Sequence, residues 1–460
     1  VPSDASGTLD PANLQAVFKA YDVRGTVPDQ LDEVLARRVG AAFVAVTGAP
    51  TVVVGHDMRP SSPEMARAFA EGAAEAGADV VAVGLASTDQ LYFASGHLGH
   101  AGAMFTASHN PAQYNGIKMC RAHAVPVGAE SGLHEIRDLL ARGDELPPAA
   151  TPGEVTARDV LDEYAAHLLS LAPVTGRRLR VVVDAGNGMA GHTAPAVLGR
   201  LHDVVDLVPL YFELDGSFPH HEANPIEPEN LRDLQAEVLA RGADVGLAFD
   251  GDADRCFVVD EQGRAVSPST LTALIAEREL ARAPGSAVIH NLITSRAVPE
   301  LVAERGGRPV RTRVGHSFIK ATMAETDAVF GGEHSGHFYF RDFWRADSGM
   351  LAALHLLAAL GESEQPLSAL LQRYERYASS GEVNSTVADQ AAVVAELRRR
   401  WSERDDVVLD ELDGLTVTHA DWWFNVRPSN TEPLLRLNAE GRDTATMEQV
   451  RDAVLAVVRA

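Results

Sequence analysis

The chain has 460 residues, 46% hydrophobic and 23% charged, with a formal net charge of −24. This is ordinary for a globular protein, and the acidity argues against a nucleic-acid or anionic-membrane partner. A small anionic substrate remains compatible with it wherever basic residues are grouped locally.

No apolar run approaches the roughly 20 residues a membrane helix needs. Residues 1–11 are small and polar, and read as a disordered lead-in rather than a signal peptide. Two cysteines, Cys120 and Cys256, make no disulfide framework and no Cys-x-x-Cys, so a reducing cytoplasm is the expected setting. Of the 40 basic residues only Lys19, Lys118 and Lys320 are lysines. Arginine has served as the generic cation, so these three mark candidate sites where a proton must be lost, which arginine cannot do.

In chain order, Phe18-Lys19-Ala20-Tyr21-Asp22-Val23-Arg24-Gly25 puts an aromatic and a guanidinium near one turn; alone it reads as a surface turn. Thr51 to Gly55 is a β-branched run ended by glycine, 63–76 reads as a helix, and Asp79 to Gly84 as the next strand. Strand–helix–strand units of this kind build parallel sheets. An apolar run ending in Met104-Phe105 then meets Thr106-Ala107-Ser108-His109-Asn110-Pro111. Pro111 keeps Asn110 out of helical geometry. Asn115-Gly116 carries the signature of a tight hairpin turn, with Ile117-Lys118-Met119 starting the return strand. A hydroxyl, an imidazole and an ammonium are gathered on this loop and its exit. A serine becomes a nucleophile only with help from a base, a charge or a metal.

The strand–helix–strand pattern recurs from Leu179 to Leu210 and from Ala287 to Val314. The tail differs: Trp422 to Val426 and Leu434 to Leu437 read as antiparallel strands, and 447–458 as a helix. The expected class is α/β: three related α/β domains with mixed sheets, at 1–156, 157–262 and 263–377, and a smaller α+β domain at 378–460.

Asp250-Gly251-Asp252-Ala253-Asp254-Arg255 lies between two apolar runs. Three crowded carboxylates repel unless a cation joins them, and their alternate spacing lets all three face one way. Hard oxygen ligands suit Mg²⁺, which leaves room for a phosphate. A Ca²⁺ hand is rejected, because Arg255 stands where that loop needs glycine and strands flank it. Gly186 to Gly191 matches a dinucleotide fingerprint, with Asp206 at a suitable distance, but such a turn also serves packing alone. Gly332-Glu333-His334-Ser335-Gly336-His337 offers groups suited to sugar hydroxyls, and a zinc site there lacks the usual spacing. Arg427-Pro428-Ser429-Asn430-Thr431 collects a guanidinium, hydroxyls and an amide suited to phosphate. Gly315-His316-Ser317 with Lys320 forms a further cluster without an assigned role.

Taken together and in this order, these loops resemble the α-D-phosphohexomutase family, and within it the bacterial phosphomannomutase/phosphoglucomutase subgroup. The resemblance implies four domains around a central cleft, each lending a loop. It implies a mutase interconverting hexose 6-phosphate and hexose 1-phosphate, mannose preferred and glucose accepted, through a phosphoserine enzyme. Ser108 would carry the phosphoryl group and, with Asp250, Asp252 and Asp254, hold Mg²⁺. Hexose 1,6-bisphosphate would be intermediate and activator. His109, Lys118, Arg255 and His316 would handle protons or the transferring group, with Lys118, its pKa lowered by desolvation near the metal, as the acid/base. Tyr21, Arg24, Gly315, Glu333, Ser335 and His337 would contact the sugar phosphate, Glu333 and Ser335 reading its 3- and 4-hydroxyls. Arg427, Ser429, Asn430 and Thr431 would anchor the phosphate that does not react. His334 stands where bacterial relatives often carry Met or Gln. Phosphoglucosamine mutase and metal-dependent sugar phosphatase are the alternatives. The expected partners are sugar phosphates only, in a monomer or dimer.

Overall fold

The structure, a computed structural model, describes residues 9–143, 146–428 and 434–460, the side chains at 316 and 317 excepted. It forms two compact units. One runs to Val266 and includes Ser335–Ser368; the other comprises Ser267–His334 and Ala369–Ala460.

The first unit holds two sheets. In one, the strand order is Val23–Thr26, Tyr114–Arg121, Ala101–Phe105, Thr51–His56, Asp79–Leu85, Val155–Ala157. The middle strands are parallel, and Tyr114–Arg121 runs antiparallel to both its neighbours. Ala101–Phe105 is buried at every residue, as expected of a strand covered on both faces. Helices Glu33–Thr47 and Ser62–Glu75 contribute Phe43 and Phe69 to its core, where Phe105 meets Phe69 edge-on at 5.6 Å. Asp32 caps the first of these helices, its side chain accepting from the Leu35 amide.

Asn115-Gly116 is not a turn: the return strand begins at Tyr114, and both residues pair with Gly25 and Arg24 of the adjacent strand. Gly116 is needed there because a Cβ would lie 2.5 Å from the Val23 carbonyl oxygen and 2.8 Å from that of Thr106. The stretch containing Arg24, read as a surface turn, is accordingly an edge strand.

The second sheet orders Ala265–Val266, Cys256–Asp260, Val245–Phe249, Leu179–Asp184 and Val205–Leu210. Val245–Phe249 and Cys256–Asp260 are antiparallel and fully buried, so the acidic loop joins two core strands. Also in this unit, Phe338–Phe340 pairs with Ala346–Asp347 ahead of helix Gly349–Gly361.

In the second unit, Ala287–Asn291 pairs in parallel with Arg308–Thr312 and Phe330–Gly332. Five antiparallel strands in the order Ala378–Thr386, Leu434–Gly441, Trp422–Pro428, Leu415–Thr418, Val408–Asp410 form its C-terminal sheet. The apolar face, with Trp422, Phe424 and Val426, shares a core with Leu397 and Val454 of helices Gln390–Ser402 and Thr444–Val458. The α/β class with a smaller C-terminal α+β domain holds. Among the described residues, no helix is long and apolar enough to cross a membrane.

Candidate active site

Ser108 sits just past the carboxyl end of Ala101–Phe105, where open α/β sheets bind ligands. Its backbone is in the left-handed region, φ 49°, rare for a residue with a Cβ. Thr106 Oγ1 accepts from the Ser108 amide at 2.9 Å. The side chain is nearly buried, yet Ser108 Oγ donates to Asp250 Oδ2 at 2.7 Å and lies 3.3 Å from His109 Nδ1. Serine and acidic loop, 142 residues apart in sequence, therefore form one site.

They meet backbone to backbone. A Cβ on Gly251 would sit 2.4 Å from the Ser108 carbonyl oxygen, and one on Gly188 would sit 2.8 Å from that of Gly251. The Met189 amide donates to the Gly251 carbonyl at 2.9 Å. The glycine-rich turn thus braces the acidic loop, while Asp206 pairs with Arg180 at the surface. Its glycines are explained by packing and not by a dinucleotide. Gly188→Ala should cost roughly 1–3 kcal/mol of stability, read by denaturant unfolding, and should also lower kcat although Gly188 carries no functional group. An unchanged kcat would show that the acidic loop tolerates being pushed.

Asp250, Asp252 and Asp254 are all buried, and one oxygen from each falls within a common 4.8 Å. Thr88 Oγ1 donates to Asp252 Oδ2 at 2.6 Å, and the Thr88 amide to the Asp252 carbonyl at 3.0 Å. Lys118 Nζ lies 2.6 Å from both Asp252 Oδ2 and Asp254 Oδ2. Arg255 Nε lies 3.4 Å from Asp250. Among the described residues, Asp252 Oδ1 and Asp254 Oδ1 make no hydrogen bond. Burial, then the charges of Asp252 and Asp254, drive the Asp250 carboxyl well above the usual range. Buried hard oxygens, two of them bare, with one carboxylate resisting ionisation, fit a divalent cation.

Lys118 bridges two of the three carboxylates. Burial does favour its neutral form, but Asp252 and Asp254 outweigh that and raise its pKa well above the ordinary lysine value. The two carboxylates favour its ammonium form. His109 goes the other way: the Arg255 charge, then burial, then Arg24 hold it well below the ordinary imidazole range, so it is neutral. His337 Nδ1 is 2.9 Å from Asp347 Oδ2 and 3.7 Å from Asp254, and the Cys256 amide donates to the Gly336 carbonyl at 3.1 Å. His337 therefore stands beside the acidic loop. Arg24 Nη1 donates to the Ala107 carbonyl at 2.9 Å and to Asn110 Oδ1 at 2.6 Å, and Nη2 pairs with Asp22. Tyr21 and Ser335, in the same unit, are half-buried.

In the second unit, Glu333 is buried, and its Oε1 accepts from the Gly315 amide at 3.2 Å and from Asn291 at 3.3 Å. Arg427 and Arg436 face each other across a strand pair, and both reach Glu382, at 3.0 and 3.4 Å. Burial, then opposing effects of Glu382 and Arg427, leave His334 below the usual imidazole range. Ser429, Asn430 and Thr431 lie outside the described residues, as does the side chain of His316.

Sequence reading missed Arg59, Thr88, Asp347 and Glu382. All are ordinary residue types that no local pattern marks; Arg59, Thr88 and Glu382 act on groups far away in the chain, and Asp347 on His337 ten residues before it. Of the three lysines, Lys118 lies in the acidic cluster, Lys19 is exposed and Lys320 is buried on the helix His316–Thr326.

Models of phosphoglucomutase/phosphomannomutase α/β/α domains I, II and III match residues 15–146, 162–263 and 267–377, and that of the C-terminal domain matches 382–457. The chain is 39% identical to a phosphomannomutase of Salmonella typhimurium, over 95% of this chain and 97% of the relative. It is 42% identical to a Xanthomonas campestris protein named phosphohexose mutases, over 94% and 97%. A solved phosphoglucomutase/phosphomannomutase family protein from Burkholderia thailandensis superposes with a TM-score of 0.87 at 34% identity, covering 97% of each chain. With all four domain models matched in order and such relatives spanning nearly its whole length, the chain belongs to the phosphoglucomutase/phosphomannomutase family, as an enzyme that acts as a hexose-phosphate mutase.

Proposed function

We propose that this enzyme interconverts hexose 6-phosphate and hexose 1-phosphate through a phosphoryl group carried on Ser108, with a hexose 1,6-bisphosphate as intermediate. The observation that carries the reading is Ser108 Oγ at 2.7 Å from a buried carboxylate, in a cluster of three with two bare oxygens. A serine with a structural role needs no such surroundings.

Phosphoryl transfer is mostly positioning and charge stabilisation. Asp250, Asp252, Asp254 and Ser108 would hold Mg²⁺, which when bound supplies positive charge against the phosphoryl oxygens. Arg255, beside Asp250, adds a fixed cation on the same side. Neutral His109, next to Ser108 Oγ, is placed to hold the serine proton. Lys118 enters as a donor: its ammonium can protonate a departing sugar oxygen once its grip on the carboxylates loosens. Tyr21, Arg24, His316 and His337 complete the contacts to the substrate.

Glu333 and Ser335 read the 3- and 4-hydroxyls, and Gly315 keeps its amide on Glu333. Arg427, with Ser429, Asn430 and Thr431, takes the phosphate that does not react. Recognition centred on positions 3 and 4 survives reversal of the sugar and leaves position 2 lightly read. Both mannose and glucose phosphates should therefore turn over, mannose the better.

The test is a coupled isomerisation assay on mannose 1-phosphate, glucose 1-phosphate and glucosamine 6-phosphate, with and without glucose 1,6-bisphosphate. We expect stimulation by the bisphosphate, no net inorganic phosphate, and mannose and glucose kcat/KM within on the order of 10²-fold. Free phosphate without isomer would make the enzyme a phosphatase, and a clear preference for glucosamine 6-phosphate would reassign the sugar.

A further inference from the structure

Arg59 is fully buried, and no part of the proposed chemistry touches it. All five of its guanidinium N–H groups are nevertheless engaged. Nε donates to Asp57 Oδ2 at 3.2 Å. Nη1 donates to the carbonyls of Pro111 and Tyr114 at 2.9 and 3.0 Å, and Nη2 to those of Ser108 and Asn110 at 3.0 and 2.7 Å. Four main-chain oxygens of the loop and its exit converge on one side chain.

Its surroundings hold the guanidinium still. Asp57 Oδ1 accepts from the Arg59 amide and from Ser62 Oγ, at 2.9 and 2.6 Å. The ring of Phe218 lies 5.1 Å from the guanidinium carbon, and a Cβ on Gly216 would come within 2.6 Å of Arg59 Cα. The fork is thus sandwiched between its own strand end and a loop of the second sheet.

We propose that Arg59 is a positioning residue for phosphoryl transfer, the template on which the Ser108 loop is wound. The proposal rests on reading Ser108 as the phosphoryl carrier. Three effects follow from the geometry. A left-handed serine persists only where its surroundings over-determine it, and Arg59 grips the carbonyls of Ser108 and Asn110 on either side of His109. Four carbonyl dipoles are held pointing at the Arg59 guanidinium. A buried positive charge is placed beneath the residue that would carry that anion. Lysine cannot substitute: its three donors have no planar fork and cannot span four carbonyls and a carboxylate.

The experiment uses the full-length enzyme with Mg²⁺, as Arg59→Lys and as Phe218→Leu, which removes the ring from the fork and leaves its hydrogen bonds. Measured are kcat and KM for mannose 1-phosphate, hydrogen exchange across residues 106–116, thermal unfolding, and the site phosphorylated after glucose 1,6-bisphosphate treatment. Arg59→Lys should lower kcat on the order of 10²-fold, the scale of a misplaced reacting group. KM should move far less, and faster exchange should be confined to the serine loop. Phe218→Leu should show the same split more weakly, and decides the matter if Arg59→Lys does not fold. A normal kcat in the folded variant, or a kcat loss that only tracks the unfolded fraction, would overturn the proposal. Wild-type enzyme phosphorylated somewhere other than Ser108 would remove this proposal and the phosphoserine reading together. Phosphorylation at Ser108 with normal turnover in the variants would remove this proposal alone.

Discussion

Ser108→Ala should lower mutase turnover on the order of 10⁴-fold or more, the scale seen when a covalent nucleophile is deleted. The variant should take up no phosphoryl group from a hexose bisphosphate, as read by intact mass. Its melting temperature should change little. The lost hydrogen bond to Asp250 is worth about 1 kcal/mol, and the left-handed backbone is as strained for alanine as for serine. Full activity in this variant would leave the serine with no chemical role. A residual activity releasing inorganic phosphate would point to water attacking the substrate directly.

Asp250→Asn should produce an opposite pair of effects. The amide oxygen can still accept from the Arg255 amide at the Oδ1 position, and the amide nitrogen at the Oδ2 position can donate to Ser108 Oγ, whose hydroxyl turns to suit. Asparagine also removes a carboxyl that burial and its two charged neighbours make costly to keep ionised. The metal-free variant should thus melt no lower than the wild type, and even higher. Wild-type protein should gain stability with Mg²⁺, about 2.7 kcal/mol at a hundredfold excess over Kd. The variant should lose most of that gain, and its kcat should fall on the order of 10³-fold. Chelation of the wild type should silence it reversibly. A variant that keeps its full Mg²⁺-dependent shift would place the cation elsewhere.

Much of this site was legible in the sequence because its chemistry is locally dense. Three aspartates within five residues, and a serine beside a histidine at the end of an apolar strand, announce themselves whatever the fold. What could not be read was long-range. Arg59 and Thr88 matter through partners about 50 and 164 residues away, and nothing nearby distinguishes them. Asn115-Gly116 misled because that pair is the commonest signal of a tight turn. Its glycine was instead answering two carbonyl oxygens pressing on a strand. Lys118 shows the same dependence on distant partners. Rarity singled it out, but the two carboxylates at 2.6 Å that favour its charged form come from a loop more than 130 residues on. A pKa depends on neighbours that only the fold assembles.

The seam where Ser108, Gly251 and Gly188 stack main chain on main chain limits where this enzyme can breathe. A join of that kind has no side-chain rotamers to flex and no slack to slide, so the two sheets of the first unit must travel as a rigid pair. The proposed bisphosphate intermediate, which has to turn end over end before its second reaction, needs room. On that proposal the room is made by parts of the protein remote from the seam, while Ser108 and the acidic loop stay in register.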